Sequence, residues 1–108
     1  MKSSNYLLEC CVDSAYSARM AKKGGADRLE LCSNLVIGGT TPTLALYEQI
    51  RNQTDIRIHV LIRPRFGDFL YSEDETALIC KEIDAFRAAG ADGVVIGSLS
   101  PVPCVPNR

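Results

Sequence analysis

Two segments of the chain nearly repeat each other, with their starts 65 residues apart in the sequence. The first is Gly25–Ser33 (GADRLELCS) and the second is Gly90–Ser98 (GADGVVIGS). A glycine, a small residue and an aspartate before a short apolar run are typical of a helix end followed by a buried parallel strand. Half of the spacing, about 32 residues, matches one strand–helix unit of a (βα)8 barrel of about 250 residues. The repeat therefore predicts an α/β fold made of parallel (βα) units of a TIM-type (βα)8 barrel, with only about the first four strands present.

The pattern of apolar residues and helix caps predicts the element order β-α-β-α-β-α-β. The predicted strands are Tyr6–Val12, Arg28–Cys32, Ile56–Ile62 and Gly93–Gly97. The first predicted helix covers residues 14–23, with Asp13 as its N-cap. The second begins at Thr41 and Pro42, with Thr41 as its cap. The third runs from a capping box at Ser72–Glu75 to about Ala89. Right-handed crossovers then make the strands parallel and place the helices on one side of the sheet. A doubly wound sheet has the same alternation, so the pattern alone does not select the barrel.

The composition changes after Ser100. Residues 101–108 contain three prolines in eight positions, which excludes a helix and a central strand there. We therefore expect a domain over residues 1–100 and an extended or disordered proline-rich tail over residues 101–108.

Charge and hydropathy limit the partners and the compartment. The formal net charge is −1, so the composition predicts no binding to nucleic acid or to an anionic membrane surface. No apolar run approaches a membrane span, and Glu9 interrupts the N-terminal apolar stretch, which argues against a signal peptide. The sequence thus predicts a cytoplasmic protein.

The cysteines are expected to be free thiols. There are five, an odd number, and no CxxC pair occurs, so neither a disulfide framework nor a structural zinc site is expected. Cys10 is expected to point away from Cys11, toward the helices, and Cys80 lies on the third predicted helix. Both are expected to pack in the interior rather than to bind a ligand.

Side-chain alternation on the strands groups the candidate metal ligands. Glu9 and Cys11 share one face of the first strand, and Glu30 and Cys32 share one face of the second. Cys11, Cys32 and Arg63 fall at the C-terminal strand ends, where parallel barrels carry their sites. Because neighbouring strands lie about 4.8 Å apart, two thiolates there can reach one soft ion such as Cu(I) or zinc. The alternative is that both cysteines are simply buried small hydrophobic residues.

The charged residues near the same strand ends allow two interpretations. Arg63 and Arg65 flank a proline and suit a carboxylate or phosphate ligand, since guanidinium groups bind these bidentately. The alternative is an internal ion pair with Glu9, Glu30 or Asp68. Paired carboxylates such as Glu9 and Glu30 can perform acid–base chemistry, or they can serve as a salt-bridged scaffold for the arginines.

Four motifs together resemble the CutC family of copper homeostasis proteins. They are LECCVDS (8–14), GADRLELCSNL (25–35), GGTTPT (38–43) and IRPRFGDFLYS (62–72). They occur in order, and the resemblance runs from about Tyr6 to Leu99. The resemblance implies a (βα)8 barrel, a cytosolic protein, a role in copper handling and copper binding by two cysteines. Those cysteines fall on Cys11 and Cys32, the same pair that strand alternation places together.

The resemblance also marks polar residues at the barrel mouth, meaning the C-terminal ends of the strands and the loops above them. The family's residues there match Glu9, Arg28, Glu30, Arg63, Arg65 and Asp68. The sequence departs from the family at Cys10, where an aliphatic residue is usual, at Phe66, where glycine is expected, and throughout the proline-rich tail. The resemblance covers well under half of a full-length member, which predicts a truncated form.

Three functions remain open from the sequence. The first is a copper homeostasis protein that binds Cu(I) through Cys11 and Cys32. The second is a barrel enzyme of unknown reaction, acting on a small anionic substrate held by Arg63 and Arg65. The third is a truncated isoform without independent activity, in which open strand edges favour association and two copies could close a barrel as a homo-oligomer.

Overall fold

A single parallel sheet organises the computed structural model, which describes residues 6–105. Its four strands are β1 (Glu9–Val12), β2 (Arg28–Leu31), β3 (Arg57–Leu61) and β4 (Gly93–Val95), and their order in the sheet is the order in the sequence. A doubly wound sheet would reverse its strand order at a switch point, whereas consecutive order is that of a barrel. The described residues therefore form part of a (βα)8-type barrel, as predicted.

Three helices connect the strands, and two of them begin at a different residue from the one predicted. They are α1 (Ala15–Lys23), α2 (Leu44–Arg51) and α3 (Glu73–Ala88), with a short 3-10 turn at Leu35–Ile37. The N-cap of α1 is Ser14 and not Asp13, because the Ser14 hydroxyl accepts the Ser17 N–H at 3.0 Å in a capping box. The predicted capping box of α3 is confirmed.

The second correction concerns Thr41, which does not cap α2. The cap is Thr43, whose hydroxyl accepts the Leu46 N–H at 3.1 Å. Thr41 instead bonds to the residue just after β3: its hydroxyl accepts the Arg63 N–H at 2.8 Å, and its own N–H donates to the Arg63 carbonyl at 3.0 Å. The loop before α2 is thereby fastened to the barrel mouth.

The core lies between the sheet and the helices. Leu29 and Ile58 on the strands and Tyr47 on α2 are completely buried. On α3 the buried residues are Ile79, Ile83 and Phe86. Leu44, the first residue of α2, is 40% exposed and lies outside this core. The opposite face of the sheet corresponds to the barrel interior and carries the polar residues of the strands.

The aspartate in each copy of the repeat fastens its strand to the preceding one. The Asp92 backbone N–H donates to the Ile58 carbonyl at 3.0 Å, and the Asp92 carboxylate accepts the Ile58 N–H at 2.9 Å. Asp27 makes the same two bonds to Leu8, both at 2.8 Å. The glycine two residues earlier has a positive φ in both copies, 101° and 94°, which explains why glycine recurs there.

The segment after β4 forms neither helix nor strand through Val105, but it packs against the protein. Val102 is 7% exposed and belongs to the core, and Cys104 forms a disulfide with Cys80 of α3. The prediction of free thiols is therefore wrong for this pair, because cysteine count and spacing do not reveal that the two residues meet in space. Residues 106–108 of the predicted tail lie outside the described residues, and the boundary at residue 100 stays a prediction. No helix within residues 6–105 is long and apolar enough to cross a membrane.

Candidate functional site

Cys11 and Cys32 meet at the C-terminal ends of the first two strands. Cys11 lies on β1 opposite Glu30, and the Cys32 N–H extends the strand pairing by donating to the Val12 carbonyl at 2.9 Å. Cys11 is exposed, whereas Cys32 is only 1% exposed. The Cys32 thiol lies close enough to Cys11 to act on its pKa. The structure thus brings together the pair that alternation predicted would be neighbours.

The surroundings of this pair favour the protonated thiols. Burial, followed by the negative charge of Glu30, raises the pKa of Cys32 from 9.0 to about 12. The Cys32 thiol also donates to the Glu30 carboxylate at 3.6 Å, which stabilises the protonated form further. The pKa of Cys11 is raised by burial and by Glu30 and Glu9, while its hydrogen bond with Cys32 acts in the opposite direction. A metal ion would therefore have to displace protons, but the same carboxylates would attract its positive charge.

The donor set limits which metal could fit. Within the described part of the chain, no three or more histidine, cysteine, aspartate or glutamate side chains are grouped so that they could hold a metal ion. Structural zinc sites normally take four protein ligands, so a pair of thiols is a poor fit for zinc. Soft thiolate ligands such as these suit Cu(I). The residues present fit Cu(I) held by two sulfur atoms.

Glu9 is engaged by a neighbour that the sequence analysis did not pair it with. Its carboxylate forms an ion pair with Arg28 at 2.5 Å, and the two residues lie opposite each other on β1 and β2. The sequence predicts Glu9 as an ion-pair partner for Arg63 or Arg65, but its partner in the structure is Arg28. Glu30, by contrast, hydrogen-bonds with Cys32, so the two carboxylates occupy different surroundings.

Arg63 ties two loops of the barrel mouth together. Its Nη1 group donates to the Gly39 carbonyl at 2.9 Å, and its Nη2 group donates to the Gly67 carbonyl at 3.0 Å. The guanidinium lies 5.1 Å from the centre of the Phe69 ring. The Arg63 Nε atom is buried and has no hydrogen-bond partner among the described residues. Most of the donors of Arg63 are thus committed to backbone carbonyls.

Arg65 has an internal carboxylate partner that the sequence analysis missed. Glu75 accepts from Arg65 Nε at 2.5 Å and from Nη2 at 3.3 Å, and Asp68 accepts from Nη2 at 3.2 Å. Arg65 is the main cause of the lowered pKa of Glu75, and after the Leu70 N–H it is the next cause of the lowered pKa of Asp68. The available signal was the capping box, because the glutamate that closes it on α3 also faces this loop.

The fold and the site together define a (βα)-barrel protein with paired thiols and internally braced arginines at its mouth. The family model described as the CutC family matches residues 6–105, and the chain belongs to the CutC family.

Curated relatives agree with this assignment. The chain is 46% identical to the human "Copper homeostasis protein cutC homolog" over 91% of this chain and 36% of that protein. It is 48% identical to a CutC family protein of Porphyromonas gingivalis over 87% of this chain and 38% of that protein. The chain therefore spans less than two-fifths of the length of these relatives.

A solved structure is also similar. The crystal structure of a CutC protein from Streptococcus agalactiae matches with a TM-score of 0.77 and 30% identity, over 88% of this chain and 47% of that one. That match supports the barrel architecture of the described residues.

Proposed function

We propose that this chain takes part in copper homeostasis by binding Cu(I) through the thiolates of Cys11 and Cys32. The observation that carries the proposal is that these two thiols come from adjacent strand ends on the same face of the sheet at the barrel mouth. The name of the human relative, copper homeostasis protein, supports the same ion. Copper is the cargo here, and no chemical change of the ion is required.

The neighbouring carboxylates have a defined part in this proposal. Cu(I) would replace the thiol protons of Cys11 and Cys32, and Glu30 would then carry a negative charge beside the bound cation. Glu9 would contribute less, because Arg28 neutralises it. Exposed Cys11 would meet the ion first, and buried Cys32 would complete its coordination. Free thiols at such a site persist in a reducing compartment, which supports the proposal of a cytoplasmic location.

An anaerobic titration with Cu(I) against a chromophoric chelator tests the proposal. We expect one Cu(I) per chain, lost in Cys11→Ala and in Cys32→Ala. Cys10→Ala is the matched control, because Cys10 neighbours Cys11 in sequence but packs against the core. The double variant Cys80→Ala/Cys104→Ala checks that the other cysteine pair does not contribute sulfur ligands. Unchanged stoichiometry and affinity in Cys11→Ala and Cys32→Ala would overturn the proposal.

The enzyme alternative has less support from the contacts around the arginines. Arg65 is occupied by Glu75, Asp68 and nearby carbonyls. Three of the five N–H donors of Arg63 bond to backbone carbonyls, which leaves one Nη2 donor and the buried Nε donor. A small anion would have to replace these internal partners. Stabilisation by phosphorylated or carboxylated metabolites in a thermal-shift screen would favour this alternative.

The truncated form and the homo-oligomer also stay predictions. Light scattering after size-exclusion chromatography, combined with far-ultraviolet circular dichroism, tests both. A discrete monomer or dimer with an α/β spectrum makes the copper titration meaningful for this chain, whereas polydisperse aggregates would place the activity in a longer protein.

A further inference from the structure

A second pair of cysteines lies apart from the barrel mouth, and the proposed copper site does not use it. Cys80 is on α3 and Cys104 is in the segment after β4, 24 residues further along the chain. Their Cα atoms are 5.8 Å apart, and their sulfur atoms are bonded. We call residues 101–105 the strap, because this disulfide fastens them across α3.

Few contacts other than the disulfide hold the strap. Among the described residues, its hydrogen bonds are local: the Val105 N–H donates to the Val102 carbonyl at 2.9 Å. Just before it, the Ser100 N–H donates to the Ser98 hydroxyl at 3.2 Å. The Val102 side chain is 7% exposed and packs in the core. The strap is thus attached by one covalent bond and by the packing of two apolar side chains, buried Val102 and partly buried Val105.

The disulfide is accessible from a groove between α3 and the strap. Cys80 lines this groove together with Tyr71 and Ala77 on one side and Pro101 and Pro103 on the other. The groove has a volume of about 570 Å³, which is ample for a small thiol. A thiolate that enters it approaches Cys80 on a face that the core does not cover.

We propose that Cys80 and Cys104 form a thiol–disulfide exchange site that fastens and releases the strap. The co-reactant is a low-molecular-weight monothiol of the glutathione class. Its thiolate attacks Cys80 Sγ, a mixed disulfide forms on Cys80, and Cys104 leaves as a thiolate that takes up a proton. A second monothiol thiolate attacks the small-molecule sulfur of that mixed disulfide and releases Cys80. The protein disulfide gains two electrons, and two monothiols become one disulfide.

The position of this disulfide makes a regulatory role more reasonable than a permanent structural one. In a reducing compartment, protein disulfides are usually transient and redox-sensing. A permanent cross-link normally joins elements of a small core that would not hold otherwise, whereas this one joins a complete helix to a short strap without helix or strand. Reduction would leave only the packing of Val102 and Val105 to hold the strap, so that the groove beside α3 opens.

Peptide mapping of the full chain tests the exchange step. The protein is equilibrated at a series of ratios of reduced to oxidised glutathione, quenched with N-ethylmaleimide and digested with trypsin without reduction. Cys80 then lies in the peptide Phe66–Lys81 and Cys104 in the peptide Ala88–Arg108. We expect these peptides to be linked at oxidising ratios and separately alkylated at reducing ratios. Cys104→Ala, which cannot form the linked peptides at any ratio, is the control.

Hydrogen–deuterium exchange of the same samples tests the release step. Deuterium uptake in the strap and along the face of α3 that carries Cys80 should rise on reduction in the wild-type chain. Cys104→Ala should show the high uptake without reductant, and Cys10→Ala should behave as wild type. Failure to form the linked peptides at any ratio would overturn the proposal, and so would equal strap uptake in the oxidised and reduced chain. Because the mapping uses the unmodified chain, misfolding of a variant cannot hide either result.

Discussion

The affinity of the barrel mouth for Cu(I) should rise steeply with pH and stay steep up to about pH 9, because both thiols hold their protons more tightly than ordinary thiols. The pKa of Cys32 is raised from 9.0 to about 12, so its thiolate fraction at neutral pH is about a thousandfold lower than that of an ordinary thiol. At about 1.36 kcal/mol per pKa unit, forming this thiolate costs about 4 kcal/mol more than usual. The pKa of Cys11 is also raised. The copper ion must supply this energy.

The sign and slope of the effect follow from counting protons. Below their pKa values both thiols are protonated, and each releases its proton when the metal binds. For each proton that binding releases, the apparent binding constant rises about tenfold when the pH increases by one unit. Two thiols therefore give a rise of about a hundredfold per pH unit between pH 6 and 9. In the chain without copper, the raised pKa makes folding stability depend on pH in the other direction. The contribution of the protonated Cys32 thiol to folding stability is present below the unfolded thiol pKa of 9.0 and is lost as the pH rises toward about 12.

The assay is the Cu(I) competition titration at about pH 6.5, 7.5 and 8.5, corrected for protonation of the chelator. The wild-type chain and Cys10→Ala should both show the two-proton slope. Glu30→Gln removes a negative charge that raises both thiol pKa values, so alkylation of Cys11 and Cys32 at mildly alkaline pH should become faster. Glu48→Gln, at an exposed position on α2, is the matched control. A binding constant that does not change with pH would refute the argument.

Three further predictions concern stability. Asp92→Ala should lower the free energy of unfolding by about 1–3 kcal/mol, because the Ile58 N–H loses its charged acceptor. The pKa of Asp92 is lowered in the folded chain, mainly by this hydrogen bond from Ile58. The contribution of the Asp92 carboxylate to folding stability is therefore present above pH 3.8 and is lost as the pH falls below that value. Gly39→Ala should lower the free energy of unfolding by about 1–3 kcal/mol, because φ at Gly39 is +93° and the new Cβ would lie 2.9 Å from Leu61 Cδ2. Gly97→Ala is the control: its new Cβ would lie 3.7 Å from the nearest atom, so the loss of stability should be smaller. Reduction of the disulfide should lower the free energy of unfolding by about 3 kcal/mol for a closed loop of this length.

Urea denaturation monitored by circular dichroism measures all three effects. Asp92→Asn should flatten the acid limb of the stability curve, and equal acid sensitivity in wild type and variant would contradict the assigned role of the carboxylate. Equal costs for Gly39→Ala and Gly97→Ala would show that positive φ and the close contact do not matter. An unchanged midpoint on reduction would mean that the cross-link constrains little of the unfolded chain.

The sequence was informative wherever a local pattern determines the structure. The repeated glycine, alanine and aspartate predicted the two strands correctly, because the turn and the aspartate bonds both depend on adjacent residues. Strand alternation placed Cys11 beside Cys32 for the same reason. Strand ends were predicted less well: β1 begins at Glu9 rather than Tyr6, because the pairing partner decides where a strand starts.

The errors occurred where distant segments compete for the same group. Thr41 has a side chain that could cap a helix, but its hydroxyl accepts the backbone N–H of Arg63 instead. The N-cap of α2 is therefore Thr43. The Cys80–Cys104 disulfide joins a helix to a proline-rich segment, and nothing in the spacing of cysteines indicates that contact. These outcomes depend on packing, which no local pattern contains.

The aspartate bonds also bear on how the sheet assembles. Asp27 reaches back 19 residues to Leu8, and Asp92 reaches back 34 residues to Ile58. Each strand thus pairs with the strand that was synthesised just before it, so the loops that must close are short and the entropy lost at each step is small. The sheet can therefore form one strand–helix unit at a time as the chain leaves the ribosome. Asp27 and Asp92 each fix the alignment of the strand that follows them against the strand made before it.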